Sequence, residues 1–181
     1  MSRARHSVTT QAARGTAPDS LGIYLNDHLA GSTAGVELSR RIAQRHHGGF
    51  GSGELERLAQ EIAWDRAALI RIMDALGVPV RRYKIAGGWI GEKFARLKPN
   101  GRVVRRSGLG VVIELETLRL GVEGKYLLWR ALEAVAEPDS PVDRDELHEL
   151  KDRARGQIAL VESLRLQAAS VAFAPGLPVP H

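Results

Sequence analysis

The sequence contains no cysteine, which excludes a disulfide framework, a thiolate metal site and a cysteine nucleophile. It also lacks any apolar run approaching the roughly 18 residues of a membrane span. The runs present are short, and the one at Val111, Val112 and Ile113 stops at Glu114. The first twenty residues are rich in Arg, Ser and Thr but have no apolar stretch of the kind a secretory signal needs. Sustained two-residue alternation, hairpin turns and solenoid-period repeats are all missing, which argues against strands and repeat folds. No Gly-x-Ser-x-Gly turn and no Ser/His/Asp grouping suggests nucleophilic catalysis. The expectation is a soluble, cytoplasmic, all-α protein, and 181 residues suffice for one full core.

What is present is helical periodicity. Residues 1–18 read as a basic, disordered arm ending at Pro18. Leu21, Leu25, Leu29, Ser32, Val36 and Ala43 then line one stripe, with Asp19 or Ser20 placed to cap it. That helix ends near His46 and His47, before Gly48-Gly49-Phe50-Gly51. This turn lacks Gly-Lys-Ser/Thr and follows a helix, so it reads as a flexible turn rather than a phosphate loop. Ser52 is expected to cap a second helix over 53–76, with Leu55, Leu58, Ile62, Asp65, Leu69, Ile72 and Met73 on its stripe and Gly77 as its stop. A third helix spans about 109–136 through Val111, Leu115, Leu118, Val122, Tyr126, Trp129 and Leu132. Ser140-Pro141 followed by Asp143 signals a fourth, carried by Leu147, Leu150, Ala154, Ile158, Val161, Leu164 and Ala168. The stretch 173–181 is a Pro-rich tail that cannot stay helical.

Short turns join the first and second helices and the third and fourth, so each pair forms an antiparallel hairpin. The connection at 79–108 is much longer, enough to travel the length of a bundle. Helices of this size measure roughly 36–45 Å at 1.5 Å per residue. The positive charge is concentrated in that connection. Residues 81–106 carry Arg81, Arg82, Lys84, Lys93, Arg96, Lys98, Arg102, Arg105 and Arg106 against the single acid Glu92. The rest of the chain is close to neutral or mildly acidic, so the net charge of +5 belongs to this segment.

Tyr24-Leu-Asn-Asp-His28 on the first helix, Glu61-x-x-x-Asp65 on the second, and Glu114-Leu-Glu116 with Gly121-Val-Glu-Gly-Lys125 on the third complete the pattern. Over about residues 20–170 the chain resembles the ferritin-like superfamily, in which two helical hairpins are joined by a long crossover. The resemblance implies an antiparallel four-helix bundle at 19–172. Di-iron members of that superfamily draw a carboxylate from each of two helices and a Glu-x-x-His pair from each of the other two. None of the six histidines here has a glutamate three positions earlier, and Asp145-x-x-His148 lies too near the start of its helix. A ferroxidase centre of the usual kind is therefore not expected.

A degenerate site is the sharper alternative. His28, Glu61, Asp65, Glu116 and Glu123 lie on or beside the apolar stripes of three helices, and Glu61 and Asp65 share a face one turn apart. Carboxylates with one imidazole suit manganese, iron or zinc. The plainer reading pairs these acids with Arg40, Arg66, Arg119, Lys125 or Arg130, because a buried carboxylate needs a partner. A metal-free polar pocket is the third.

These residues lead first to a non-ferroxidase binding or structural protein. A metal-dependent oxidase or peroxide-scavenging protein is the second reading. The third is a nucleic-acid or anionic-surface binder using Arg81, Arg82, Lys84, Arg102, Arg105 and Arg106, with Tyr83, Trp89 and Phe94 interleaved. Homodimerisation is expected from apolar surface left at Trp64 and on the crossover.

Overall fold

Each apolar stripe needs a covered face, and the four longest periodic segments of the chain satisfy one another. The computed structural model describes residues 17–81, 108–137 and 139–174. Among these, all regular structure is helical: α1 is Ala17–Arg45, α2 Ser52–Ala75, α3 Gly108–Val135 and α4 Arg144–Phe173. Their inner faces make one core, with Leu25, Met73, Leu115 and Leu147 fully enclosed and Trp129 1% exposed. No helix among the described residues is long and apolar enough to cross a membrane.

Side chains between the helices fix their directions. Arg66 Nε on α2 donates to Thr33 Oγ1 on α1 at 3.1 Å. The buried Asn26, near the start of α1, reaches the chain just after α2: its Nδ2 donates to Pro79 O at 3.2 Å and its Oδ1 accepts from Arg81 N at 2.7 Å. The first pair is therefore an antiparallel hairpin. Gly108 at the start of α3 lies against Ala172 at the end of α4, and Arg119 Nε reaches Glu162 Oε2 at 3.2 Å, so the second pair is one too.

The hairpins meet along two seams. Arg41 and Arg45 near the end of α1 both approach Glu114 near the start of α3. Arg71 near the end of α2 donates to Glu146 near the start of α4 at 2.8 Å, while Gly51 before α2 lies against Leu164 far along α4. Neighbouring helices are thus antiparallel around the ring α2–α1–α3–α4, and α2 runs parallel to α3 across the diagonal. Ala75 and Gly108 consequently stand at opposite ends of the bundle. The backbones of α2 and α4 approach less closely than those of α1–α2, α1–α3 or α3–α4, and long side chains span that gap.

The expected stop of α2 is present in detail. Gly77 takes φ +66°, Gly77 N donates to Asp74 O and Val78 N to Met73 O, the paired bonds of a Schellman ending. Three helix starts differ from expectation. α1 begins at Ala17, ahead of Asp19 and Ser20 and inside the segment read as an arm. The cap position of α2 is Gly51, with φ +61° and no side-chain bond. Ser52 Oγ instead accepts from Gly48 N at 3.1 Å and braces the turn. At α4 the cap is Asp143 rather than Ser140, its Oδ1 accepting from Asp145 N at 2.8 Å. Pro141 stays in the loop, where Ser140 Oγ accepts from Val142 N at 3.3 Å. Most of the crossover, the arm up to residue 16 and the tail from 175 lie outside the described residues.

Candidate functional site

A helix carries residues one turn apart on one face, and three helices here turn such faces toward a single point. From α2 come Glu61 and Asp65, from α3 Lys125, and from α4 Arg153 and Gln157. The Asp65 side chain is fully buried, so its charge requires compensation. Oδ1 accepts from Arg153 Nη1 at 2.9 Å. Oδ2 accepts from Lys125 Nζ and from Gln157 Nε2, the latter at 3.1 Å. Gln157 also donates to Glu61 Oε2 at 3.2 Å, while its Oε1 accepts from Lys125 Nζ. The ammonium settles the orientation of that amide, because only the oxygen can face it.

Two carboxylates, one ammonium and one guanidinium make the cluster formally neutral. Burial pushes the Lys125 ammonium below its ordinary range, opposed by the charge of Asp65 and the hydrogen bond to it. The Lys125–Asp65 bond joins the diagonal pair of helices through the core, and Arg153 closes the α2–α4 seam. Outside it lies a groove of about 540 Å³ between α2 and α4, where Glu61 and Arg153 meet Trp64, Arg71, Glu146 and Glu149. Trp64 is 56% exposed there, as the sequence suggested. The groove is polar along its rim and floored by Ala68 and Leu150.

Of the five residues suggested as metal ligands, Glu61 and Asp65 come together. His28 is half-buried on α1, its ring edge-on to Tyr24 with centroids 4.5 Å apart. Burial lowers its pKa, and Asp27 opposes the shift. Glu116 is exposed and Glu123 half-buried. Among the described residues no three His, Asp or Glu side chains converge as a ligand set.

Of the suggested cationic partners, Lys125 takes the role. Arg66 bonds Thr33, Arg119 pairs with Glu162, and Arg130 lies 5.9 Å from the Tyr126 ring centroid. Of the suggested anion-binding residues, Arg82, Lys84, Arg102, Arg105 and Arg106 lie outside the described residues. Arg81 is placed by its backbone bond to Asn26.

Sequence reasoning missed Arg153 and Gln157. The signal for Gln157 was available: steps of three and four through Leu150, Ala154, Gln157, Val161 and Leu164 run on inward positions, every one of them buried.

Compared with protein-family models, with curated proteins and with solved structures, the chain has no match in any of the three.

Proposed function

We propose that this chain is a ferritin-like helical bundle that works as a binding or structural scaffold, and that its carboxylate layer is an internal ion-pair cluster rather than a metal centre. One observation carries the reading: both oxygens of the buried Asp65 are already occupied by Lys125, Arg153 and Gln157. A divalent ion at Glu61 and Asp65 would sit beside two fixed cations, and their repulsion in a poorly screened interior opposes binding. The donor set therefore does not fit iron or manganese while those cations stay in place. The ring of antiparallel neighbours with α2 parallel to α3 supports the ferritin-like part of the proposal, since two hairpins joined by a long crossover require that arrangement. The binding part rests on the α2–α4 groove, where exposed Trp64 offers a flat apolar face between charged walls.

The test is the metal content of untagged protein purified without chelator after iron or manganese supplementation. The expected result is far less than one metal per chain and a melting temperature indifferent to added Mn²⁺, Fe²⁺ or Zn²⁺. Near-stoichiometric metal lost on Asp65→Asn would overturn the proposal and favour a metal-dependent oxidase or peroxide scavenger.

A further inference from the structure

A helix that is apolar on two faces has two surfaces to cover, and α3 is such a helix. Its inner face supplies Leu115, Leu118, Val122, Trp129 and Leu132 to the core. On the opposite side, Ile113, Thr117, Leu120, Gly124, Leu127 and Ala131 follow one another in steps of four and three, with no charge among them. Leu120 is 52% and Leu127 50% exposed. Such spacing is that of a helix seam that packs along a second helix. Charge lies among the outward positions of α1 and of the first half of α4, as with Glu37, Arg40 and Arg41 or Asp152 and Arg155, while Leu166 and Val171 are exposed near the end of α4.

Two details suit the close approach of another helix to this face. Glycine inside a helix costs about 1 kcal/mol relative to alanine, yet a Cβ added at Gly121 or Gly124 would meet nothing within 4 Å. Nothing in the chain's own packing demands glycine there, whereas a crossing helix would come nearer for its absence of a side chain. Thr117 Oγ1 donates to Ile113 O at 2.8 Å, so its hydroxyl needs no outside partner when covered.

We propose that this face joins two copies of the chain, α3 against α3 and antiparallel, about a two-fold axis beside Gly124. An isologous interface must be complementary to itself, and this one is. Reversed about that point, Leu120 meets the partner's Leu127, Thr117 meets the partner's Ala131, and the two glycines face each other at the crossing. Glu116, Glu123 and Arg130 follow one edge of the stripe at seven-residue steps. Antiparallel pairing sets that edge against its own copy. Glu116 then faces the partner's Arg130, twice by symmetry. A parallel pair would set it against the other edge, where Gly121 and Leu128 offer no charge. The one unfavourable contact is Glu123 against the partner's Glu123. A strip of about 30 Å along one helix lies at the low end of stable interface sizes, which sets a reversible, micromolar dimer as the expectation. This surface is separate from the Asp65 layer and stands or falls independently of it.

Sedimentation and light scattering of the full chain across concentration test the proposal. A dimer is expected that dissociates in Leu120→Asp and Leu127→Asp while helix content and melting stay near those of the parent. Glu123→Gln removes the like-charge contact and tightens the dimer several-fold. Glu116→Arg weakens it, and adding Arg130→Glu restores it. Because the chain has no cysteine, Gly124→Cys carries a unique thiol beside the axis and is expected to give a disulfide-linked dimer on oxidation. Gly53→Cys, on the exposed start of α2, serves as the control. A monomer at about 100 µM, a dimer indifferent to Leu120→Asp and to the charge exchange, or cross-linking at Gly124 no faster than at Gly53 would each overturn it. Should Gly124→Cys fold poorly, the charge exchange decides alone.

Discussion

Asp65 is the residue on which the interior chemistry turns, because a charge at 1% exposure has no water to fall back on. Removing one member of a buried ion pair costs about 3–5 kcal/mol, whereas replacing both by apolar groups of similar size is often neutral. Lys125→Met leaves Asp65 its bonds to Arg153 and Gln157, so the expected loss in unfolding free energy lies at the low end of that range, about 3 kcal/mol. The double variant Asp65→Leu/Lys125→Met should recover most of the loss, which denaturant titration of the three proteins would reveal. Additive losses in the double variant would instead mean that the two groups do not interact. This layer was half legible in the sequence. Asp65 interrupted an otherwise apolar stripe, and that made it conspicuous. Lys125 was named only as one of five available cations and Gln157 was passed over, because Tyr126 and Ile158 beside them look more like core residues. Both of those apolar neighbours are only half-buried, while Gln157 is 2% exposed. Position in the three-four rhythm decides burial here, and a polar residue can hold an inward position when others in the same layer satisfy it.

At the scale of elements, the starts of the helices reward close attention. Gly51 has φ +61°, and an added Cβ would come within 2.8 Å of Leu164 Cδ2, whereas Gly48 has φ +73° with open space around it. Both alanine variants pay the left-handed backbone penalty of roughly 1–2 kcal/mol. Gly51→Ala must also displace Leu164 from the core. It is expected to lower stability measurably more than Gly48→Ala in thermal or denaturant unfolding, and equal effects would show that Leu164 yields freely. Helix existence and order were readable from period and punctuation alone. Cap identity was not: Ser-x-x-Asp at the start of α4 offered two eligible side chains, and only the folded loop places Asp143 rather than Ser140 at the helix edge.

For the molecule as a whole, the acid side of the stability curve has an identifiable contributor. Burial lowers the pKa of His28 below 6.5, with Asp27 opposing, so the unfolded chain takes up that proton first. Between the unfolded value near 6.5 and the lower folded value, the unfolded state binds more protons, and stability falls as pH falls. Unfolding free energies measured from pH 7 down to about 5.5 should decline. His28→Gln should flatten the decline, and an unchanged slope would assign it to other groups. The bundle itself followed from four stripes and one long connection, whereas the direction of α3 relative to α2 needed cross-bundle pairs such as Arg71–Glu146 and Arg45–Glu114. Those pairs also bear on how the two halves hold together. Each hairpin is contiguous in sequence and closes over short loops, so it can assemble early, and docking of one hairpin on the other is the long-range event. Arg71–Glu146 lies near the surface, where salt screens it. The Asp65 layer does not share that exposure, and raising ionic strength would loosen the rim of the seam while leaving its centre latched.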